Sequence, residues 1–209
     1  MVTVYGLAAF RPEVQGLIRD IRVIWALEEL GMPYQRVVMD VKRAEHKKPE
    51  YLAINPFGKV PSIIDDKVTL FESSAICAYL GDKEAKLLPE AGTRERLFYN
   101  QWVSYITSTF EPLASRIGWL DLFVEQDETT KKLSRSTLEL VKTHAKVLDA
   151  RLQKQEYLLN DEFSLADVQL ASVSRIVSHR EPWAELPAFS KYLEKCFARP
   201  AYARAWAST

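Results

Sequence analysis

Apolar and polar residues alternate at the start of the chain, and Thr3-Val4-Tyr5 reads as a short strand that Gly6 breaks. A long segment, residues 7–19, precedes a change of period. Ile21, Ile24, Trp25, Leu27 and Leu30 cover a broad face of a helix that starts at Asp20 and stops at Gly31, with Pro33 behind it. Residues 35–39 form a second strand, parallel to the first because a helix crosses between them. The apolar run Ser62-Ile63-Ile64, the turn at Asp65-Asp66 and the return Val68-Thr69-Leu70 predict an antiparallel hairpin. Glu72-Ser73-Ser74 then opens a helix over residues 75–80, which Gly81 closes.

Strand-helix-strand followed by strand-strand-helix is a thioredoxin-like order. Beyond it the composition turns polar, with Lys83, Glu84, Lys86, Pro89 and Gly92, and no apolar period survives, so a domain boundary falls there. We read residues 1–82 as an α/β thioredoxin-like domain, 83–92 as a linker and 93–209 as an all-α domain. In the latter the periodicity predicts helices over roughly 93–123, 129–155, 164–179 and 188–197, with a short turn near 201–207. Ser164-Leu165-Ala166-Asp167 is a capping box with Asp in place of Glu, and Phe163 can staple onto Val168, so this start serves folding rather than chemistry.

Composition narrows the function classes. With 209 residues and 47% apolar content the chain can bury one or two cores. Lys+Arg and Asp+Glu balance at 28 each, which leaves no basic field to recruit nucleic acid or anionic lipid. No apolar run approaches the ~18 residues of a membrane span, and the first residues enter a strand with no basic or cleavable apolar leader, so a cytoplasmic chain is expected. Cys77 and Cys196 stand far apart in apolar helical patterns, form neither a Cys-x-x-Cys pair nor a zinc-ligand set, and read as small core residues. No metal site is expected.

The chemistry converges on residues 55–74. A cis Val60-Pro61 bond would leave the N–H and C=O of Val60 free to pair with an extended peptide as an added strand. The helix start at Ser73 supplies a hydroxyl and a backbone N–H to a carboxylate, and Glu72 beside it can hold an ammonium. Together they suit the zwitterionic head of a peptide-like ligand.

Asn55-Pro56-Phe57-Gly58-Lys59-Val60-Pro61 followed by Leu70-Phe71-Glu72-Ser73-Ser74-Ala75-Ile76 resembles the glutathione site of cytosolic glutathione transferases. The likeness runs from Val2 to about Ala201 and includes the Ser-Leu-Ala-Asp box and Arg199-Pro200-Ala201. It implies glutathione as co-substrate, a homodimer, a role in detoxification, and a thiolate that attacks a small apolar electrophile. Glu45-His46-Lys47-Lys48 is similar to the plant phi-class pattern, which carries His46 and Lys47 over to the glycine carboxylate of glutathione, with Lys59 as a third donor. The family's acceptor pocket maps onto Phe10, Trp102, Tyr105 and Thr109, although an aromatic stripe of this kind also serves as ordinary core. A glutathione-dependent isomerase or dehalogenase of the same fold, or a non-catalytic interaction module, are the alternatives.

A free thiol titrates near ~8.5, so the site must supply a group that stabilises the thiolate. Relatives use Tyr, Ser or Cys. Counting back from Arg22-Val23, the Ser or Cys place is held here by Leu17, which has no donor. Residues 6–19 contain no Ser, Thr, Tyr or Cys, which leaves Tyr5 as the nearby hydroxyl; a structural tyrosine at a strand end is an equal reading of it. Arg11, Arg19 and the amides at the helix start are the alternative stabilisers.

Overall fold

Strand β1 (Val2–Leu7) buries Val2, Val4 and Gly6 on one face and half-buries Thr3, Tyr5 and Leu7 on the other. It is the inner strand around which the first unit forms. β2 (Tyr34–Met39) pairs with it in parallel from Val2↔Tyr34 to Leu7↔Met39, and β3 (Ser62–Asp65) runs antiparallel on its other side, with Tyr5 opposite Ser62. β4 (Val68–Phe71) closes the hairpin, which gives a sheet of order β2-β1-β3-β4. The computed structural model describes residues 1–9 and 11–209, and these divide into Met1–Leu88 with Ala198–Thr209, and Pro89–Phe197.

Helix α1 (Asp20–Leu30) buries every residue from Asp20 to Leu27, and Gly31 ends it in a left-handed turn at φ 68. α2 (Pro49–Leu52) is one turn, and α3 (Ser73–Glu84) packs against α1. Two expected stops do not act as stops. β1 continues through Gly6, whose missing side chain is required by packing: a Cβ there would lie 2.0 Å from Oδ2 of Asp20. That carboxylate accepts from Arg36 at 2.8 Å, and its pKa is nonetheless raised because burial outweighs the guanidinium. α3 likewise runs through Gly81, which is buried within it, and Ala85 at φ 52 ends the helix instead. Both cysteines are fully buried, as their pattern predicts.

The second unit is helical throughout its described elements: α4 (Arg94–Tyr105), α5 (Glu111–Phe123), α6 (Glu128–Leu152), α7 (Leu165–Arg175) and α8 (Pro187–Phe197). The helix expected over 93–123 is interrupted by a π turn, Ile106–Phe110. Pro112 supplies the reason, since it has no N–H for the carbonyl four residues back; in addition Thr107 and Ser108 hydroxyls donate to the carbonyls of Val103 and Ser104 at 2.9 and 2.7 Å. The helix from Ser164 is shorter than expected and gives way to a 3-10 turn, Ser178–Arg180, but its capping box is present: Asp167 accepts from the Ser164 N–H and hydroxyl, each at 2.8 Å. The segment 201–207 is a two-turn helix, α9 (Pro200–Ala207), and it packs on α1 within the first unit. A thioredoxin-like α/β unit and an all-helical unit are thus both present. No helix of the described residues is long and apolar enough to cross a membrane.

Candidate functional site

The loop before β3 is shaped by Asn55, which is 2% exposed. Its Oδ1 accepts from Phe57 N at 3.1 Å and its Nδ2 donates to Lys59 O at 2.8 Å, so one amide side chain holds both arms of the turn. Gly58 sits at φ +57, and a Cβ there would meet His46 O at 2.7 Å, so only glycine lets the two loops touch. Tyr51 of α2 adds its hydroxyl, donating to Lys59 O at 2.5 Å and lying 3.0 Å from Ser62 Oγ; burial pushes its pKa up. Val60-Pro61 is cis. Among the described residues no group of this chain takes the N–H or C=O of Val60.

Glu72 leads into α3 at φ 72 and ψ 110, a conformation that side chains rarely adopt, and stays exposed while its carbonyl accepts from Ile76 N at 2.9 Å. Ser73 is buried at the first position of the helix. Its neighbour was not among the expected site residues. Arg22, 2% exposed on α1, donates from Nη1 to Ser73 Oγ at 3.4 Å. A buried cation therefore stands beside a helix N-terminus, and both attract an anion. The available signal was a lone arginine inside Ile21-Arg22-Val23-Ile24-Trp25, where an ordinary core helix has no use for one.

His46 and Lys47 lie in a 3-10 turn, Glu45–Lys47, held against the 55–61 loop. Lys47 Nζ donates weakly to Phe57 O at 3.4 Å, and Nδ1 of His46 is buried with no partner. Burial first, then the charges of Lys47 and Lys59, lowers the imidazole pKa. His46 is thus a neutral hydrogen-bonding ring among cations near neutral pH, and Lys59, adjacent in sequence to Val60, is exposed.

Tyr5 is grouped differently. Its ring packs on Tyr51 at 5.7 Å and lines, with Met39, Glu45, Lys48 and Ile54, a cavity of about 540 Å3 whose lining includes neither Arg11 nor Arg19. Arg11 precedes the 3-10 turn Pro12–Val14, Arg19 precedes α1, and both are exposed. Leu17 is half-buried between them.

In the second unit Trp102 and Tyr105 come together edge to face at 5.7 Å. Tyr105 also stacks on Phe110 at 6.3 Å and lies 3.0 Å from Nδ1 of His144, and burial pushes its pKa up to about 12. Arg151 stands 4.9 Å above the Trp102 ring. Neither His144 nor Arg151 was expected here. Thr109 is exposed in the π turn, and Phe10 lies outside the described residues. Among the described residues no three His, Cys, Asp or Glu side chains gather as a metal ion would require.

A mixed sheet entered through an open peptide unit at Val60, a helix start flanked by a buried arginine, and a helical unit in the same chain define a thioredoxin-like protein of two-domain type. Residues 14–82 match the glutathione S-transferase N-terminal domain and residues 110–200 the glutathione S-transferase C-terminal domain. The chain is 36% identical over 156 residues to glutathione S-transferase 1 of Zea mays, which covers 73% of each, and 33% identical over 193 residues to glutathione S-transferase 3 of the same plant, covering 87% of this chain and 86% of the other. A glutathione transferase of Phanerochaete chrysosporium solved in complex with oxidized glutathione superposes with a TM-score of 0.86 at 29% identity, over 99% of this chain and 95% of that one. The chain belongs to the glutathione S-transferase family.

Proposed function

We propose that this glutathione transferase holds glutathione along the Val60 edge and passes its thiolate to a small apolar electrophile. The observation that carries the reading is the start of α3, where the Ser73 hydroxyl accepts from the buried Arg22 guanidinium beside the helix N-terminus. That helix start takes the γ-glutamyl carboxylate, with Glu72 on the ammonium. Val60 pairs with the peptide backbone, after Pro61 turns the chain into β3, and His46, Lys47 and Lys59 meet the glycine carboxylate. In the chemical step the thiol loses its proton to solvent, and a sulfur lone pair forms the new bond to carbon as the carbon–leaving-group bond breaks and its electron pair departs with the leaving group; in an addition, a π pair of the acceptor moves onto the neighbouring atom, which takes a proton from solvent. Tyr5, Arg11 or Arg19 stabilises the thiolate, and Trp102, Tyr105 and Thr109 contribute to the acceptor pocket. We further infer a cytoplasmic homodimer acting in detoxification.

Replacing Ser73 by Ala should weaken glutathione binding by ~1–3 kcal/mol in calorimetry, because a charge-assisted bond is removed and its anion left poorly satisfied. Unchanged affinity would sink the site. A spectrophotometric titration of the bound thiol decides whether the protein also activates it. Leu17, standing where a donor is usual, favours as second reading a module that binds glutathione without catalysis.

A further inference from the structure

The last helix reaches back to the segment that leads into α1. Trp206 of α9 lies so closely over Gly16 that a Cβ built there would come 2.1 Å from one ring carbon of the indole and 2.5 Å from another. Gly16 also has φ +66, so both the conformation and the space at this point demand glycine. Gly16 is the pivot of residues 11–19. On one side the Pro12–Val14 turn ends with Gln15 N donating to Pro12 O at 3.2 Å; on the other Leu17 N donates to Val14 O at 3.0 Å, and the chain winds through Ile18 and Arg19 into the first turn of α1. One turn later that helix delivers Arg22 to Ser73.

α9 is fixed independently of Trp206. Arg199 makes a two-pronged pair with Glu29 at 2.5 and 2.7 Å, and Arg204 pairs with Glu28 at 2.6 Å. Tyr202 packs edge-on against Trp25 of α1 at 4.7 Å. The helix is thus anchored by its charged residues and Tyr202, and the indole at its end packs on Tyr202 at 6.0 Å and lies over the loop.

We propose that Trp206 is a positioning residue for catalysis: by pinning Gly16 it sets where residues 11–19, and with them Arg19 and the α1 amides, stand relative to the thiol of bound glutathione. This rests on the functional reading above, in which that segment borders the sulfur. Glutathione recognition rests on residues 55–74 and on Arg22, and α1, which carries Arg22, is held to α9 through Glu28, Glu29 and Trp25 rather than through Gly16, so the two effects separate.

The test uses the full chain as wild type, Trp206→Ala and Trp206→Phe, with glutathione and an activated chloronitrobenzene. Trp206→Ala should lower kcat about tenfold or more, since misplacement by about 1 Å away from the chemistry can cost a hundredfold, while KM for glutathione stays within about twofold. The thiol titration of bound glutathione should move toward that of the free peptide, and amide exchange should quicken in residues 15–17 but not in 55–74. Trp206→Phe, which keeps an aromatic plate over Gly16, should restore most of the kcat and serves as the informative variant if the alanine form does not fold. A folded Trp206→Ala with wild-type kcat and thiol titration overturns the proposal alone, as does a loss shared equally by KM and kcat that Phe does not repair. A wild type that leaves the thiol unshifted overturns the functional reading and this role of Trp206 with it.

Discussion

Residues 55–74 and residues 11–19 border the same proposed ligand and are built on opposite plans. The first segment is held from within: Asn55 bonds both arms of its own turn, Gly58 makes room for the neighbouring loop, and β3 and β4 pair with each other from Ser62↔Phe71 to Asp65↔Val68. The second has only short backbone turns of its own, such as Gln15 N to Pro12 O and Leu17 N to Val14 O, and is otherwise held from outside, by Trp206 on Gly16 and by its continuation into a buried helix. A site that binds a peptide backbone can be specified by local backbone chemistry. The segment proposed to border the thiol is steadied instead by a side chain from a distant part of the sequence.

The sharpest way to break this contrast is Arg22, where the two segments meet. Arg22→Met keeps the buried stem and removes the charge next to Ser73; glutathione affinity should fall by ~1.5–3 kcal/mol, because a charged hydrogen bond at an anion site is lost. Calorimetry that returns wild-type affinity would detach α1 from recognition altogether. A substitution with effects of opposite sign sharpens it further. Glu72→Gly removes a side chain from φ 72, so the unfolding midpoint in urea should rise by the equivalent of about 1 kcal/mol even as glutathione binding weakens. Stability and binding falling together would show that Glu72 is not strained.

How much of this could be read from the residues alone depended on whether a requirement leaves a mark on residue type. Gly58 and the Asn55 turn do, because φ +57 and a two-armed amide bond admit few residues; Ser73 after a hairpin does, because a helix start selects for it. The periodic pattern misses Gly6, where glycine answers to a packing neighbour and the strand stays regular, and Gly81, which is buried inside a helix that continues past it. Arg22 was passed over because its partner lies 51 positions away, and the Gly16–Trp206 contact because no periodicity links the two ends of a chain. In the helical unit the extent of 93–123 was legible while its π turn was not: Pro112 and the Thr107 and Ser108 hydroxyls act jointly on a few carbonyls, which a helical period averages over.

The smallest expected effect is one of pH. In the folded chain the His46 pKa is depressed below its ordinary 6.5 by burial and by Lys47 and Lys59, so protonation is disfavoured and the residue subtracts stability as pH falls below the unfolded value. A docked carboxylate opposes that depression and raises the pKa. Glutathione affinity should therefore increase about two- to threefold between pH 7.5 and 5.5 in wild type, and calorimetry across that range should give a flatter profile for His46→Gln. Equal slopes would remove His46 from the glycine carboxylate.

The placement of α9 also bears on how the chain folds as it is made. Glu28, Glu29 and Gly16 lie in the first 31 residues, but the arginines and the indole that meet them arrive only with residues 199–206. The α/β unit therefore cannot reach its final packing while the later residues are unsynthesised, whereas Pro89–Phe197 contains all the contacts that define it. Closing a loop of that length carries an entropy cost that local contacts do not, so the order of completion runs against the order of synthesis: the middle of the chain can settle first, and the α/β unit waits for α9.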